Sequence, residues 1–347
     1  MFVAALSLAL SIASAPLQPS LQQVADASLS VDERIAAEAA AIHDAVSQWR
    51  ERQERMRLLP AEDGRFRLVT DFSKREAERM LDSAEEILGR LDLALGFPEP
   101  EAVPGPVTLV LLQDPDRYRD LCATLGAAAP RLADYFRSVA DSTGFTSFAP
   151  PISVVHTGHQ RQVEARPEHS LGHALVHLEL HRRYGILPLW LREGLALAGE
   201  DSTWGEVWAP WFLDGFVFSS SHADWRGRET RKLVAGLEGD WSRVFGWEGR
   251  PYDPERSRLA YAFSTWALEA EPEGLARFLE LLRVEYAKDA DGGEALFGAE
   301  RTRELAVEAF GEDFAERLAA WWKHPRSWKK WKKEWKLARS EDLAARD

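Results

Sequence analysis

The spacing of apolar positions changes along the chain and divides it into segments. Between residues 31 and 57, apolar side chains recur three or four positions apart, as on one face of a helix. We therefore predict that residues 16–60 contain a packing or spacer helix. The apolar positions of this helix are Ile35, Ala39, Ile42, Val46 and Trp49.

The segment 61–160 combines alternating and helical patterns. Alternating or continuous apolar runs predict short strands, and Asp71 and Ser73 offer N-caps to a following helix. The predicted strands are 65–70, 107–112 and 152–156, and the predicted helices are 74–95 and 114–125. This order of strand, helix, strand, helix and strand is typical of a small α/β layer.

The segment 161–322 is helical in pattern and rich in aromatic residues. An aromatic cluster within it is predicted to pack in a core, with a hydrophobic substrate wall as the alternative. The cluster contains Trp204, Trp208, Trp211, Phe212, Phe216 and Phe218. We therefore predict an α+β protein, with a small α/β layer followed by a larger, mainly helical domain and a cleft between them.

A row of histidines opens this helical segment. His169, His173, His177 and His181 follow one another at intervals of four residues. Residues four apart lie above one another on a helix, so an adjacent pair can bind one ion. Each step drifts by about 40° around the helix axis, so the four side chains cannot share one metal. One adjacent pair must supply the ligands.

A carboxylate on the next predicted helix completes a ligand set. Gly185 and Pro188 separate the two helices, and Glu193 lies in the second. Two histidines on one helix and a glutamate on the next form a three-ligand zinc site that leaves one position open for water.

The second of these helices carries a family resemblance. The run Leu-Pro-Leu-Trp-Leu-Arg-Glu-Gly-Leu-Ala, residues 187–196, resembles the gluzincin metallopeptidases, in particular the peptidase-MA-like group of secreted bacterial proteins. The resemblance implies a zincin-like helical domain with His173, His177 and Glu193 as Zn²⁺ ligands. It covers roughly residues 60–322, although its specific part is about 25 residues long.

The chain departs from the family at the catalytic position. Ala174 stands where the His-Glu-x-x-His motif has its glutamate. That glutamate takes a proton from the zinc-bound water, and losing such a group costs about 10² to 10⁴ in rate. The pair His169 and His173 would place Ser170 there, and the pair His177 and His181 would place Leu178 there. No choice of pair restores a base.

Three functions follow as hypotheses. The first is a secreted pseudopeptidase that binds zinc and a peptide or protein ligand in the cleft without efficient cleavage. The second is an active zinc metallopeptidase with a substitute base, for which Glu168 or Glu179 are candidates in principle. The third is a metal-free binding or scaffold protein, in which the histidines form a hydrogen-bonded face.

The resemblance also suggests contacts around the metal. Some gluzincins stabilise the oxyanion with a tyrosine, and Tyr261 in the helix 256–269 is the candidate here. An edge strand of the α/β layer lies along the cleft in gluzincins and can pair with an extended peptide. His156 and His159 follow the last predicted strand and are possible neighbours of the site or substrate.

The two ends of the chain suggest where the protein acts. Residues 1–15 are apolar and end in Ala-Ser-Ala, which predicts a signal peptide and a secreted or periplasmic protein, with a membrane anchor as the alternative. Residues 323–347 are basic and place Trp328, Trp331 and Trp335 on one helical face. This C-terminal helix is expected to pack on its own domain or to touch a membrane surface.

Composition narrows the remaining classes. The chain has 347 residues and a net charge of −13, which argues against nucleic acid as the main partner. Its single cysteine, Cys122, excludes an internal disulfide and a cysteine-rich zinc site. The oligomeric state and the natural ligand are left open.

Overall fold

The chain divides into two units, each formed by two stretches of sequence. The structure is a computed structural model that describes residues 31–96, 107–142, 144–148, 151–158, 167–205, 207, 225–236, 241–246, 254–289, 298–324 and 333. The first unit comprises Met1–Glu78 and Pro106–Ala165, and the second comprises Arg79–Gly105 and Arg166–Asp347.

The first unit is built on a mixed β-sheet. Its elements are α1 (Val31–Arg52), β1 (Arg57–Pro60), β2 (Phe66–Thr70), the start of α2 (Lys74–Leu95), β3 (Val107–Leu112), α3 (Pro115–Ala128), a 3₁₀ turn (Pro130–Leu132), α4 (Ala133–Val139), β4 (Gly144–Phe148) and β5 (Pro151–His156). Among the described residues, the strands follow the order β1-β2-β3-β5-β4. The inner pairs β2–β3 and β3–β5 are parallel, whereas β1 and β4 are antiparallel edge strands.

Helices α1 and α3 share an apolar core with the sheet. Trp49 of α1, Leu121 of α3 and Val110 of β3 are buried in one cluster. Cys122 is buried in the same cluster, as expected of a small core residue. Local signals set the helix starts, since Asp114 caps α3 and Ser73 exchanges capping hydrogen bonds with Glu76 at the start of α2.

The second unit is helical. It contains the rest of α2, α5 (Pro167–Tyr184), α6 (Leu189–Trp204), a π-helical turn (Trp225–Glu229), α7 (Thr230–Gly236), α8 (Ser242–Phe245), α9 (Pro254–Ala270), α10 (Pro272–Asp289), α11 (Ala299–Phe310) and α12 (Phe314–Lys323). Gly185 has φ +72° just after α5, where the chain must turn sharply, and Pro188 precedes α6.

Helix α6 lies at the centre of the second unit, and its residues from Trp190 to Thr203 are all buried. One of its faces packs against α9 so closely that a Cβ at Gly194 would lie 2.4 Å from the carbonyl oxygen of Ala260. An edge-to-face contact between Trp190 and Phe263, at 5.2 Å, extends this interface. Helix α6 is therefore held in position by backbone contact.

The α+β class is confirmed, with a small sheet region followed by a larger helical region. The strands β1 and β4 were not predicted. The two units also divide the chain differently from the predicted segments. Residues 79–105 belong with the helical unit, because Ile87 on the apolar face of α2 lies against Gly199 of α6.

Several predictions concern residues outside the described ranges. These are the signal peptide at 1–15, most of the C-terminal helix at 323–347, His159, and the members of the aromatic cluster between Trp208 and Phe218. They stay predictions. No helix among the described residues is both long and apolar enough to cross a membrane.

Candidate metal centre

Helices α5 and α6 bring three buried side chains to one point. His173 and His177 lie one turn apart on α5, and Glu193 lies on the first turns of α6. His173 Nε2 is 3.4 Å from Glu193 Oε2, and His177 Nε2 is 3.4 Å from Glu193 Oε1. The two Nε2 atoms are 2.9 Å apart. This group could hold a metal ion.

The imidazole–carboxylate spacings are close to those of a tetrahedral site, with each imidazole facing a different oxygen of Glu193. Two donors bound about 2.05 Å from a zinc ion at the tetrahedral angle lie about 3.3 Å from each other. Both histidine–carboxylate distances are within about 0.1 Å of that value. The histidine–histidine distance is a few tenths of an ångström shorter, which suits two nitrogens that share a proton.

A second carboxylate, Glu200, holds the far side of His173. Glu200 lies two turns after Glu193 on α6 and is fully buried. Its Oε1 is 2.8 Å from His173 Nδ1, and its Oε2 is 3.1 Å from His169 Nδ1. The sequence analysis did not identify Glu200. Its spacing could have identified it, because two residues seven positions apart lie on the same face of a helix, as Glu193 and Glu200 do.

The contact with Glu200 sets the tautomer of His173. An ionised carboxylate can only accept hydrogen bonds, so both Nδ1 atoms that face it carry a hydrogen and donate it. In neutral His173 the lone pair is then on Nε2, the atom that faces Glu193. Metal-binding histidines generally have such an acceptor behind them, which fixes the ring and raises its basicity.

Both carboxylates of the site stay ionised despite their burial. Burial alone would raise the pKa of Glu193, but its interactions with His177 and His173 outweigh burial and lower that pKa to about 2. Burial acts in the same direction on Glu200, whose hydrogen bonds from His169 and His173 lower its pKa to about 2. Both carboxylates are therefore ionised at neutral pH.

His173 and His177, which with Glu193 form the triad of candidate ligands, differ in their proton affinity. Burial opposes a charge on His173, but Glu193 and Glu200 outweigh burial and raise its pKa to about 9. Burial lowers the pKa of His177 well below its usual value. In the metal-free protein, His173 is thus the imidazolium and donates from Nε2 to Nε2 of His177. That proton occupies the point at which the ligand atoms converge.

The outer histidines of the row are not part of this cluster. His169 faces Glu200 through Nδ1 and stacks on Trp204, with ring centroids 4.0 Å apart. Burial and the charge of Arg192 lower the pKa of His181 to about 4. The structure therefore brings together the pair selected by the family resemblance. In the other unit, His156 Nε2 lies 2.9 Å from the carbonyl oxygen of Ser142.

The residue after His173, where the resemblance would place a catalytic glutamate, is Ala174, whose methyl group is buried. Two other carboxylates of α5 and α6 already have partners. Glu200 contacts the two histidines, and Glu179 lies 3.3 Å from Arg183 and 3.6 Å from Arg182. Glu168 keeps one buried oxygen, Oε2, without a hydrogen-bond partner among the described residues.

Tyr261 lies beside a different group of charges. The hydroxyl group is fully buried, and burial together with the charge of Asp201 raises its pKa well above the usual value. Asp201 is eight residues beyond Glu193 on α6, about 12 Å along the helix axis. The described contacts of Tyr261 are with Trp225, Trp322 and this charged group. Its proposed role with an oxyanion stays a prediction.

Comparison with known proteins adds no assignment to this geometry. A scan against protein-family models finds no match, and a search of curated proteins finds none either.

Proposed function

We propose that this protein is a secreted, gluzincin-like pseudopeptidase that holds zinc and binds a peptide or protein ligand without efficient cleavage. The proposal rests on one observation above the others. Two imidazole nitrogens and one carboxylate converge in a buried group that could hold a metal ion, while the position next to the first histidine, where a proton carrier would stand, holds Ala174.

The donor set favours zinc over other common ions. Imidazole nitrogen suits zinc and neighbouring transition metals, whereas calcium and magnesium prefer oxygen ligands. With three protein ligands, zinc would keep one open position and supply a Lewis acid to a carbonyl group placed there. His173, His177 and Glu193 hold the ion, and Glu200 keeps His173 in the tautomer that can bind it.

The lost base separates binding from turnover. A carbonyl oxygen can approach the open position without any proton transfer, so ligand binding does not need Glu at position 174. Cleavage does need a group that takes and returns a proton, and a positioned acid or base contributes about 10² to 10⁴ in rate. A peptide or protein is the ligand proposed, on the basis of the family resemblance and of the predicted signal at residues 1–15.

The decisive experiment restores the glutamate. Ala174→Glu should create peptidase activity that a chelator abolishes, at least about 10² above the wild type, because it adds the missing proton carrier beside the proposed metal ligands. Ala174→Gln is the matched control, since it has nearly the same shape and cannot transfer the proton. Hydrolysis of a fluorogenic peptide library is measured with and without chelator, beside the zinc content of each protein.

Each other outcome selects a different function. Chelator-sensitive hydrolysis by the wild type would favour an active enzyme with a substitute base, and Glu168→Gln then tests the carboxylate with the unpaired oxygen. Zinc-free wild-type protein that takes up no added zinc would favour the metal-free scaffold. Zinc-loaded Ala174→Glu no more active than Ala174→Gln would contradict the proposal. Tyr261→Phe in the active background tests the predicted oxyanion contact.

A further inference from the structure

His169 belongs to the histidine row, yet it contacts a carboxylate rather than the point at which the metal ligands converge. It is 1% exposed, and its Nδ1 lies 3.1 Å from Glu200 Oε2. The other oxygen of the same carboxylate lies 2.8 Å from His173 Nδ1. Glu200 therefore bridges two histidines that are one helical turn apart.

The bridge restricts the carboxylate more than either contact alone. A carboxylate with one donor can turn about its terminal bonds and still keep that hydrogen bond. With one N–H on each oxygen, the plane of Glu200 is fixed relative to α5, and so is the direction from which it accepts from His173. The ring plane of His173, and hence the direction of its Nε2, depends on both donors.

The ring of His169 is itself held in place. It lies against the indole of Trp204, with 4.0 Å between centroids and an angle of 30° between the planes. Trp204 is at the end of α6, the helix that also carries Glu193 and Glu200. The stack therefore directs Nδ1 of His169 at Glu200 from the same two helices that form the metal site.

We propose that His169 is a positioning residue of the metal centre, which acts through Glu200 to aim Nε2 of His173 at the ion. The inference rests on the proposed zinc site and extends it by one residue. Groups that orient a metal ligand from behind typically change metal affinity by about 10- to 100-fold when removed. His169 should have an effect of this kind although it is not a ligand.

Two substitutions separate the hydrogen bond from the ring. His169→Phe keeps an aromatic ring against Trp204 but leaves Glu200 Oε2 without its donor. His169→Asn loses the ring, while its amide nitrogen can occupy the place of Nδ1 and donate to Glu200. Both substitutions remove Nε2, so any contact made by that atom is lost equally in the two variants.

The experiment measures Zn²⁺ and Co²⁺ affinity and the visible spectrum of the Co²⁺-loaded proteins, with thermal unfolding of the metal-free forms as the folding control. We expect His169→Phe to lower the affinity for both ions by about 10-fold or more. It should also alter the visible absorption bands of the Co²⁺-loaded protein, which report ligand geometry. We expect His169→Asn to stay within about 3-fold of the wild type. If the Phe variant does not fold, His169→Leu carries the same test.

The results that would overturn the inference are distinct from failure of the zinc site. Wild-type affinity and spectrum in His169→Phe would show that the donor has no role. Weakening only in His169→Asn would assign His169 to packing alone, and equal weakening in both variants would assign the effect to the lost Nε2 rather than to the donor at Glu200. A wild-type protein that binds neither ion would overturn the proposed function and this inference with it.

Discussion

Helix α6 carries two buried charged groups, and the contrast between them shows what distinguishes a site from a structural ion pair. Near its C-terminal end, Asp201 and Glu269 of α9 surround the guanidinium of Arg226. Near its start, Glu193 faces two imidazoles. Both groups are removed from water and both contain carboxylates. They differ in the cation that the chain supplies, which is a permanently charged guanidinium in the first group and an imidazolium that can lose its proton in the second.

The group around Arg226 is closed. Arg226 Nε donates to Asp201 Oδ2 at 2.8 Å, and its Nη1 donates to Glu269 Oε2 at 3.1 Å. The nearby carboxylates keep the guanidinium charged despite its burial, and they raise its pKa. A planar, multidentate cation that meets carboxylates on two sides leaves no convergent lone pairs for an ion.

The group around Glu193 is open by comparison. Its Oε1 has no hydrogen-bond partner within the described part of the chain, and neither does Nδ1 of His177. A buried carboxylate oxygen left in this way is costly unless a cation or a donor completes it. The comparison teaches that burial and charge alone do not mark a functional site. The mark is a set of acceptor atoms that converge on one point.

The largest effect that would test this contrast comes from breaking the closed group. Arg226→Leu leaves Asp201 and Glu269 buried without their cation, which should destabilise the fold by about 3–5 kcal/mol, as measured by urea unfolding. Zinc stoichiometry in the protein that remains folded should be unchanged. Arg301→Leu is the matched control, because Arg301 also pairs with two glutamates, Glu285 and Glu304, but at the surface. Its effect should be far smaller.

The open group should respond mainly in its metal affinity. Glu193→Gln removes the anionic ligand and should weaken zinc binding by more than about 100-fold, beyond the range for groups that only orient a ligand. The metal-free protein should also lose stability at neutral pH, because the buried His173 imidazolium loses one of its two carboxylate partners. Competition with a chromophoric chelator gives the affinity. Undiminished zinc binding in Glu193→Gln would remove Glu193 from the ligand set.

A smaller effect sharpens the comparison through pH. The raised pKa of His173, about 9, means that metal-free protein keeps a proton on this residue at pH 7. Zinc must displace it, so binding should release one proton from the triad, and affinity should weaken about tenfold for each pH unit below about 9. Titration calorimetry in buffers of different ionisation enthalpy counts the protons. Release of none would contradict the assigned protonation of His173.

The raised pKa of His173 also predicts how the stability of the metal-free protein changes with pH. Because the folded pKa of His173 lies above its ordinary value of 6.5, its contribution to the metal-free fold is complete below pH 6.5. That contribution is lost as the pH rises through about 9. The zinc-loaded protein should not show this loss, since its His173 carries no titrating proton at Nε2. Unfolding curves of both forms between these pH values separate the two cases.

The spacing of apolar residues predicted the helices and strands that bury one face, and it missed the two edge strands of the sheet. Helix α2 and strand β3 have the predicted bounds, since each places a long apolar pattern in a core. Strands β1 and β4 are short edge strands whose pairing depends on neighbours distant in sequence, and β1 is mostly exposed. Their local patterns carry little information about that pairing.

The candidate site could be predicted in part for a similar reason. Histidines four residues apart on α5 share a face by local geometry alone, so spacing predicts that an adjacent pair can meet. The choice of His173 and His177 among the three pairs came from the resemblance. The meeting of Glu193 with that pair came from resemblance to other chains. The bridge from Glu200 to His169 depends on how far α6 lies from α5 and at what rotation, and no single-chain periodicity fixes either quantity.

The close approach of α9 to Gly194 has a bearing on which ions the centre can accept. A Cβ at this position would meet Ser264 Oγ at 2.5 Å as well as the backbone of α9, so the residue next to Glu193 cannot move closer to α9. Helix α9 therefore limits how far α6 can move at this point. An ion such as calcium, which needs bonds of about 2.3–2.6 Å, would have to spread the ligands of α5 and α6 against packed main chain. We therefore expect the group, if loaded with metal, to bind zinc in preference to calcium.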